Sequence, residues 1–183
     1  MPTRRFTVAK TSIGLILAGS LMCTVNLARS QEPAPKVHET QATAGPALRV
    51  QGEIAAPLQL TAAELAQFPR QSATAKAHDG KESRYEGVAV FEILKKAGVP
   101  TGKELRGKAV ALYLVVEASD GYRAVFALPE FDPAFTDRVI LLADRRDGQP
   151  LSSREGPLQI IVPGEKRHSR WVRQVITLRV GKA

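Results

Sequence analysis

Cysteine is nearly absent from this chain. One stands among 183 residues, Cys23, and it falls in an N-terminal stretch that reads as removed on export. The mature protein would then have no disulfide, no thiolate metal site and no cysteine nucleophile. Histidine is almost as scarce. Of three, His38 sits in a linker-like stretch, so the domain is left with His78 and His168. A zinc site needs three or four clustered ligands, and here it would have to be two histidines helped by Asp79. The sequence also has no G-x-S-x-G elbow, no P-loop and no dinucleotide glycine pattern. Hydrolase and nucleotide readings therefore lack positive support. There is no long Lys/Arg run and no aromatic ladder on a basic face, which speaks against nucleic acid. No comfortable membrane span is present either. Ile13 to Val25 is mostly apolar, but it is broken by Gly and Ser and falls short of the roughly 20 residues a span needs.

The formal charge of +8 is unevenly placed. Arg4, Arg5, Lys10 and Arg29 lie in the first thirty positions, which contain none of the 18 acidic residues. The rest of the chain is only mildly basic. Positions 1–30 read as an export signal: a positive start, the apolar stretch, then Ala28 and Ser30 as small residues before a cut at Gln31. An uncleaved anchor is the rival reading. A lipoprotein cut at Cys23 would place bulky Met22 where a small residue is wanted. "TRRFTVAK" also resembles a twin-arginine signal, so that route and the ordinary secretory one both stay open. The protein is expected to be periplasmic or secreted, with no membrane contact beyond the signal segment.

Residues 31–46 are rich in Pro, Ala, Thr and Glu without an apolar period, and read as a flexible linker. From Ala47 to Ala183 the pattern is that of one folded domain. "ALRVQGEI" alternates as a strand does. In "LTAAELAQFP", Thr61 precedes Glu64 by three, a capping box that opens a short helix. "AVFEILKKAGVP" spaces Val90, Ile93, Leu94 and Ala97 for a second helix, stopped by Gly98 and Pro100. Asp79-Gly80, Asp120-Gly121 and Asp147-Gly148 mark tight turns between extended segments. "VALYLVVEA", "YRAVFAL", "RVILLA", "LQIIV" and "VRQVITLRV" supply further strands. Strands dominate and two helices stand out, which predicts an α+β domain around a mixed sheet.

Taken singly, the polar clusters have plain readings. His78-Asp79-Gly80 and Asp120-Gly121-Tyr122 are turns with flanking residues, and Arg145-Arg146 is solvated charge. "PGEKRHSRWVR", Pro163 to Arg173, holds five residues that can be cationic and the only Trp. Alone it reads as solvated surface.

The clusters occur in a telling order. "YEGVAVFEILKKAGVP", "SDGYRAVFAL", "LLADRRDGQPLSSREGPLQIIVPG" and "RHSRW" follow one another. This succession resembles the molybdopterin-binding domain of the sulfite oxidase family, from about Leu48 to Val180. The resemblance implies a mixed-sheet α+β fold and a molybdopterin or molybdenum cofactor. It implies that Arg170 stands where the family has a Lys before the Trp. Arg170 would then grip pterin and phosphate together with Arg167, His168 and Ser169. It places Tyr122 at an active-site tyrosine, able to donate to an oxyanion or metal-oxo group. The family's molybdenum-binding cysteine has no counterpart: the corresponding "TAKAHDG" offers Ala77, His78 and Asp79, which makes His78 the candidate residue there. Two functions follow as expectations. One is an exported molybdopterin-type oxidoreductase domain with a degenerate or absent metal site, served by a redox partner protein. The other is a non-catalytic periplasmic module that binds a small anion or a protein partner in the inherited cleft.

Overall fold

The computed structural model describes residues 47–183. The export signal and linker expected over 1–46 lie outside the described residues. The chain begins with β1 (Leu48–Gly52) and β2 (Leu58–Leu60), then the short α1 (Ala62–Leu65). The capping box forms as expected: the Glu64 amide donates to Thr61 Oγ1 (3.2 Å) and the Thr61 amide to Glu64 Oε2 (2.8 Å). Next come β3 (Arg70–Lys76), β4 (Glu82–Ala89) and α2 (Val90–Lys96). In α2, Val90, Ile93 and Leu94 face the core. Glu92 sits in its first turn and Lys95 and Lys96 in its last, which suits the helix dipole. The rest is β5 (Leu112–Ala118), β6 (Arg123–Ala127), β7 (Leu141–Arg146), β8 (Gln149–Pro150), β9 (Gln159–Ile161) and β10 (Val175–Lys182). Among the described residues no helix is long and apolar enough to cross a membrane.

The α+β class holds, but the described strands divide between two sheets. One runs β2-β1-β10-β5-β6 and is mixed, because β1 pairs parallel with β10 while the other pairs are antiparallel. The other runs β3-β4-β7-β8, with β9 beside β8 on the far edge of β7, and all its pairs are antiparallel. Leu48, Val50, Leu114, Val116 and Leu178 of the first sheet join Tyr85, Val88, Leu141, Leu142 and Ile160 of the second in one hydrophobic core. The core is built by alternation. Leu114, Val116 and Ala118 point inward from β5, while Tyr113, Val115 and Glu117 do not.

Three strands are shorter than their apolar runs suggest. In "RVILLA" the ladder starts only at Leu141, because its partner β4 ends at Ala89 and turns into α2 at Val90, whose amide makes the last in-register bond, to the Ile140 carbonyl. The beginning of "VALYLVVEA" lies in a 3-10 turn, Gly107–Ala111. In "VRQVITLRV" the strand starts at Val175, after Gln174 with φ 49°. That last difference shapes the cleft. Residues 172–174 lie outside the sheet and run beside 155–160, tied by Ile160 N–H to Val172 O (2.8 Å) and Gln174 N–H to Glu155 O (2.9 Å), and Val175, where the strand begins, also donates to Leu158 O (2.9 Å).

Candidate functional site

Four separate stretches meet at a cleft of about 490 Å³. The first is the tip between β3 and β4, which brings His78. Gly80 takes φ 80°, and Asp79 Oδ1 accepts from the Lys81 amide (3.0 Å). The second is the β5–β6 turn, which brings Asp120 and Tyr122. Here Gly121 has φ 84° and Asp120 Oδ1 accepts from the Tyr122 amide (2.9 Å). Both turns are local Asp-Gly devices, which is why the sequence shows them. The third stretch carries Glu155 and Gln159, and the fourth is the 163–174 loop with Arg167, His168, Ser169, Trp171 and Arg173.

These stretches are tied to one another. The Tyr122 hydroxyl donates to Ser169 O (2.6 Å), so it pins the loop and would reach an oxyanion only by releasing Ser169. His168 Nε2–H donates to Lys76 O (2.8 Å) at the end of β3. The His168 ring lies 4.4 Å from Trp171 and 6.0 Å from His78, both edge-on. Trp171 Nε1–H donates to Val162 O (3.2 Å), and its ring meets buried Tyr85 edge-on at 5.6 Å. The cleft thus has a fixed aromatic wall and a polar rim. Burial pushes the Tyr85 phenol above its ordinary value, although nearby Arg146 pulls the other way. It therefore stays protonated and can donate a hydrogen bond.

The cationic rim is open. Arg167 and Arg173 are exposed and line the cleft. Neither is in an ion pair among the described residues. Two guanidinium forks without carboxylate partners suit a multiply charged anion.

Of the residues singled out by sequence, His78, Tyr122, Arg167, His168 and Ser169 meet at this cleft. Arg170 does not. Its side chain points to the other side of the loop, against Glu165 and Glu130. Nε donates to Glu165 Oε1 (2.7 Å), Nη2 donates to the same oxygen, and Nη1 contacts both oxygens of Glu130 (2.8 and 3.0 Å). The guanidinium also lies 4.5 Å from the Phe126 ring centre. Burial works against its charge, and the two carboxylates outweigh that and hold it deeper in the cationic range. A guanidinium so saturated has little left for a phosphate. Asp79, imagined as a third metal ligand, spends its carboxylate on the Lys81 amide and on Arg146 (3.4 Å). No three His, Cys, Asp or Glu side chains cluster for a metal among the described residues.

Tyr85, Asp120, Glu155, Gln159 and Arg173 line the cleft without having been named as site residues. Gln159 left a signal: it is the polar residue in the apolar run "LQIIV", and it lies buried at 3% exposure. Arg173 was in the quoted basic stretch. Tyr85 and Glu155 lie inside the quoted stretches without a role there, because only the fold brings them here.

The family model for the oxidoreductase molybdopterin binding domain matches residues 35–182, beginning inside the stretch read as linker. Among solved structures the chain is similar to the sulfane dehydrogenase SoxCD from Paracoccus pantotrophus. The TM-score is 0.58 at 22% identity, over 73% of this chain and 37% of that one. This chain therefore spans well under half of that protein's length, and the likeness is one of fold. No curated protein matches the sequence.

Proposed function

The chain belongs to the oxidoreductase molybdopterin-binding domain family, and from that premise we propose that it is an exported member that holds a molybdopterin-type ligand by its pterin and phosphate, without a protein thiolate on any metal. The observation that carries this is the convergence of His78, Arg167, His168, Ser169 and Arg173 on one cleft. The donor set fits the organic part of such a group. Unpaired guanidinium groups suit the phosphate, a fixed aromatic wall suits a flat ring, and Gln159 Oε1 is a buried acceptor without a partner. The donor set does not fit a protein-ligated metal, since Ala77 and His78 stand where the family's cysteine would be and Cys23 is the chain's only thiol. When bound, a molybdenum–pterin group supplies two-electron redox chemistry. This chain's residues bind and orient its pterin and phosphate. Export rests on Arg4, Arg5 and Lys10, the apolar stretch and the small residues before Gln31.

The full chain, produced with its leader in a host that makes molybdopterin, is expected to carry close to one pterin per protein. Any molybdenum should track the pterin. The Arg167→Glu/Arg173→Glu double variant is expected to lose about tenfold or more of the bound pterin, because two charge-assisted contacts become repulsive. Fluorimetric pterin assay and metal analysis read both. Wild-type protein that folds, is exported and carries no pterin sinks the proposal. If it binds inorganic phosphate alone in the same cleft, the small-anion module is the better description.

A further inference from the structure

The most buried part of the cleft lining combines apolar and polar groups. Ala118, Trp171 and Val172 supply the apolar part, Tyr85 and Gln159 the polar part. Gln159 is 3% exposed and its Oε1 has no hydrogen-bond partner. Such an unmade bond works against stability and calls for an explanation. Glu155 completes the group. Its Oε2 accepts from Ser152 Oγ (2.8 Å), and its Oε1 lies 3.6 Å from Arg146 Nη1. Each carboxylate oxygen keeps lone-pair capacity beyond these contacts. Arg146 is itself held by Ser83 (2.9 Å) and Asp79 (3.4 Å), so the carboxylate is anchored from behind.

We propose that Glu155, Gln159 and Tyr85 form a subsite for the 2-amino-4-oxopyrimidine edge of a planar heterocycle. The assignment follows donor by donor. That edge presents a ring N–H and an amino group side by side, and next to them a carbonyl. The carboxylate of Glu155 accepts the ring N–H and one amino hydrogen. The Gln159 carbonyl accepts the other amino hydrogen, and the Tyr85 hydroxyl donates to the ring carbonyl. Ala118, Val172 and the Trp171 edge cover the ring, and its anionic tail lies toward Arg167 and Arg173. Within the proposed function, on which this inference rests, the edge belongs to a pterin. Guanine carries the same edge, so a guanine nucleotide is the other source of this chemistry.

Trp171 is the only tryptophan, so its fluorescence reports on the cleft directly. The purified full chain, free of pterin, is titrated with 6-carboxypterin, with GMP and with pyrophosphate. The pterin is expected to quench Trp171. Glu155→Gln and Gln159→Leu are each expected to weaken it by about tenfold, the size of one lost hydrogen bond to a charged or buried partner. Pyrophosphate binding, which reads the arginine rim alone, is expected to stay within about twofold. Gln159→Leu removes an unpaired polar atom, so it is expected to melt at or above the wild-type temperature. A lower melting temperature would mean the amide serves the fold, and would overturn the subsite. Pyrophosphate binding without any pterin or GMP binding overturns it too, while leaving the anion-binding cleft standing. Pterin binding unchanged in both variants likewise overturns it. GMP binding that is sensitive to both variants, with no pterin binding, supports the subsite and overturns the pterin assignment instead.

Discussion

Arg170→Ala is expected to cost about 2–3 kcal/mol of stability in denaturant unfolding, the scale of a partly buried ion pair broken from one side. Glu165 and Glu130 would be left without their shared cation, and Glu165 is only 14% exposed, with Oε2 already lacking a partner. Phe126, fully buried, would also lose the guanidinium that covers its ring. Lys at this position is expected to recover less than half of the loss, because one ammonium cannot replace a planar fork that engages two carboxylates. The same experiment bears on function. Pyrophosphate binding in the folded Arg170→Ala protein is expected to stay close to wild type, since the side chain faces away from the cleft. Normal stability with lost anion binding would put Arg170 back at the cleft, where the resemblance placed it.

Gly87→Ala is expected to be a severely damaging small substitution, costing more than about 3 kcal/mol and emptying the soluble fraction on expression. A Cβ on Gly87 would stand 2.1 Å from Leu142 O and 2.6 Å from Ala143 Cα. Both are backbone atoms of β7, which β4 and β9 hold from opposite sides, so the strand has nowhere to retreat. The register slips between Glu86 and Gly87, where Asp144 of β7 is skipped, and the missing Cβ at Gly87 is what lets the two backbones lie so close. Tyr85, two residues away, would move with it, and the cleft would lose part of its wall. Gly80→Ala is the control. Nothing lies within 4 Å of its added Cβ, but φ is +80°, so only the left-handed backbone is penalised, by about 1 kcal/mol. Equal effects of the two substitutions would show that β7 yields and that the contact is soft.

The elements legible beforehand are those whose cause is local. The Thr61–Glu64 capping box spans three residues, and the Asp79-Gly80 and Asp120-Gly121 turns are closed by an Asp side chain on the amide two residues on. The helix α2 follows from apolar spacing and ends where Gly98 takes φ 75°. Strand starts were misplaced where a distant part of the chain decided the pairing. Ile140 loses its partner strand because β4 turns into α2 at Val90, and Gln174 gives its amide to Glu155. Apolar pattern alone carries no trace of such a competitor.

The sequence by itself determined the α+β class, the Asp-Gly turns that open onto the cleft, and the absence of a thiolate beyond Cys23, because each depends on residue type or on neighbours a few positions apart. It also placed His78, Tyr122, Arg167, His168 and Ser169 among the candidates, through their order along the chain. Only the tertiary structure decided that the strands form two sheets with β1 parallel to β10, that Tyr85, Glu155 and Gln159 face the same cleft, and that Arg170 leaves it. These depend on pairings across long stretches of chain, such as Arg170 with Glu130, forty residues away. The direction of a long side chain is set by whichever carboxylate the fold brings within reach, and one-dimensional order does not contain that distance.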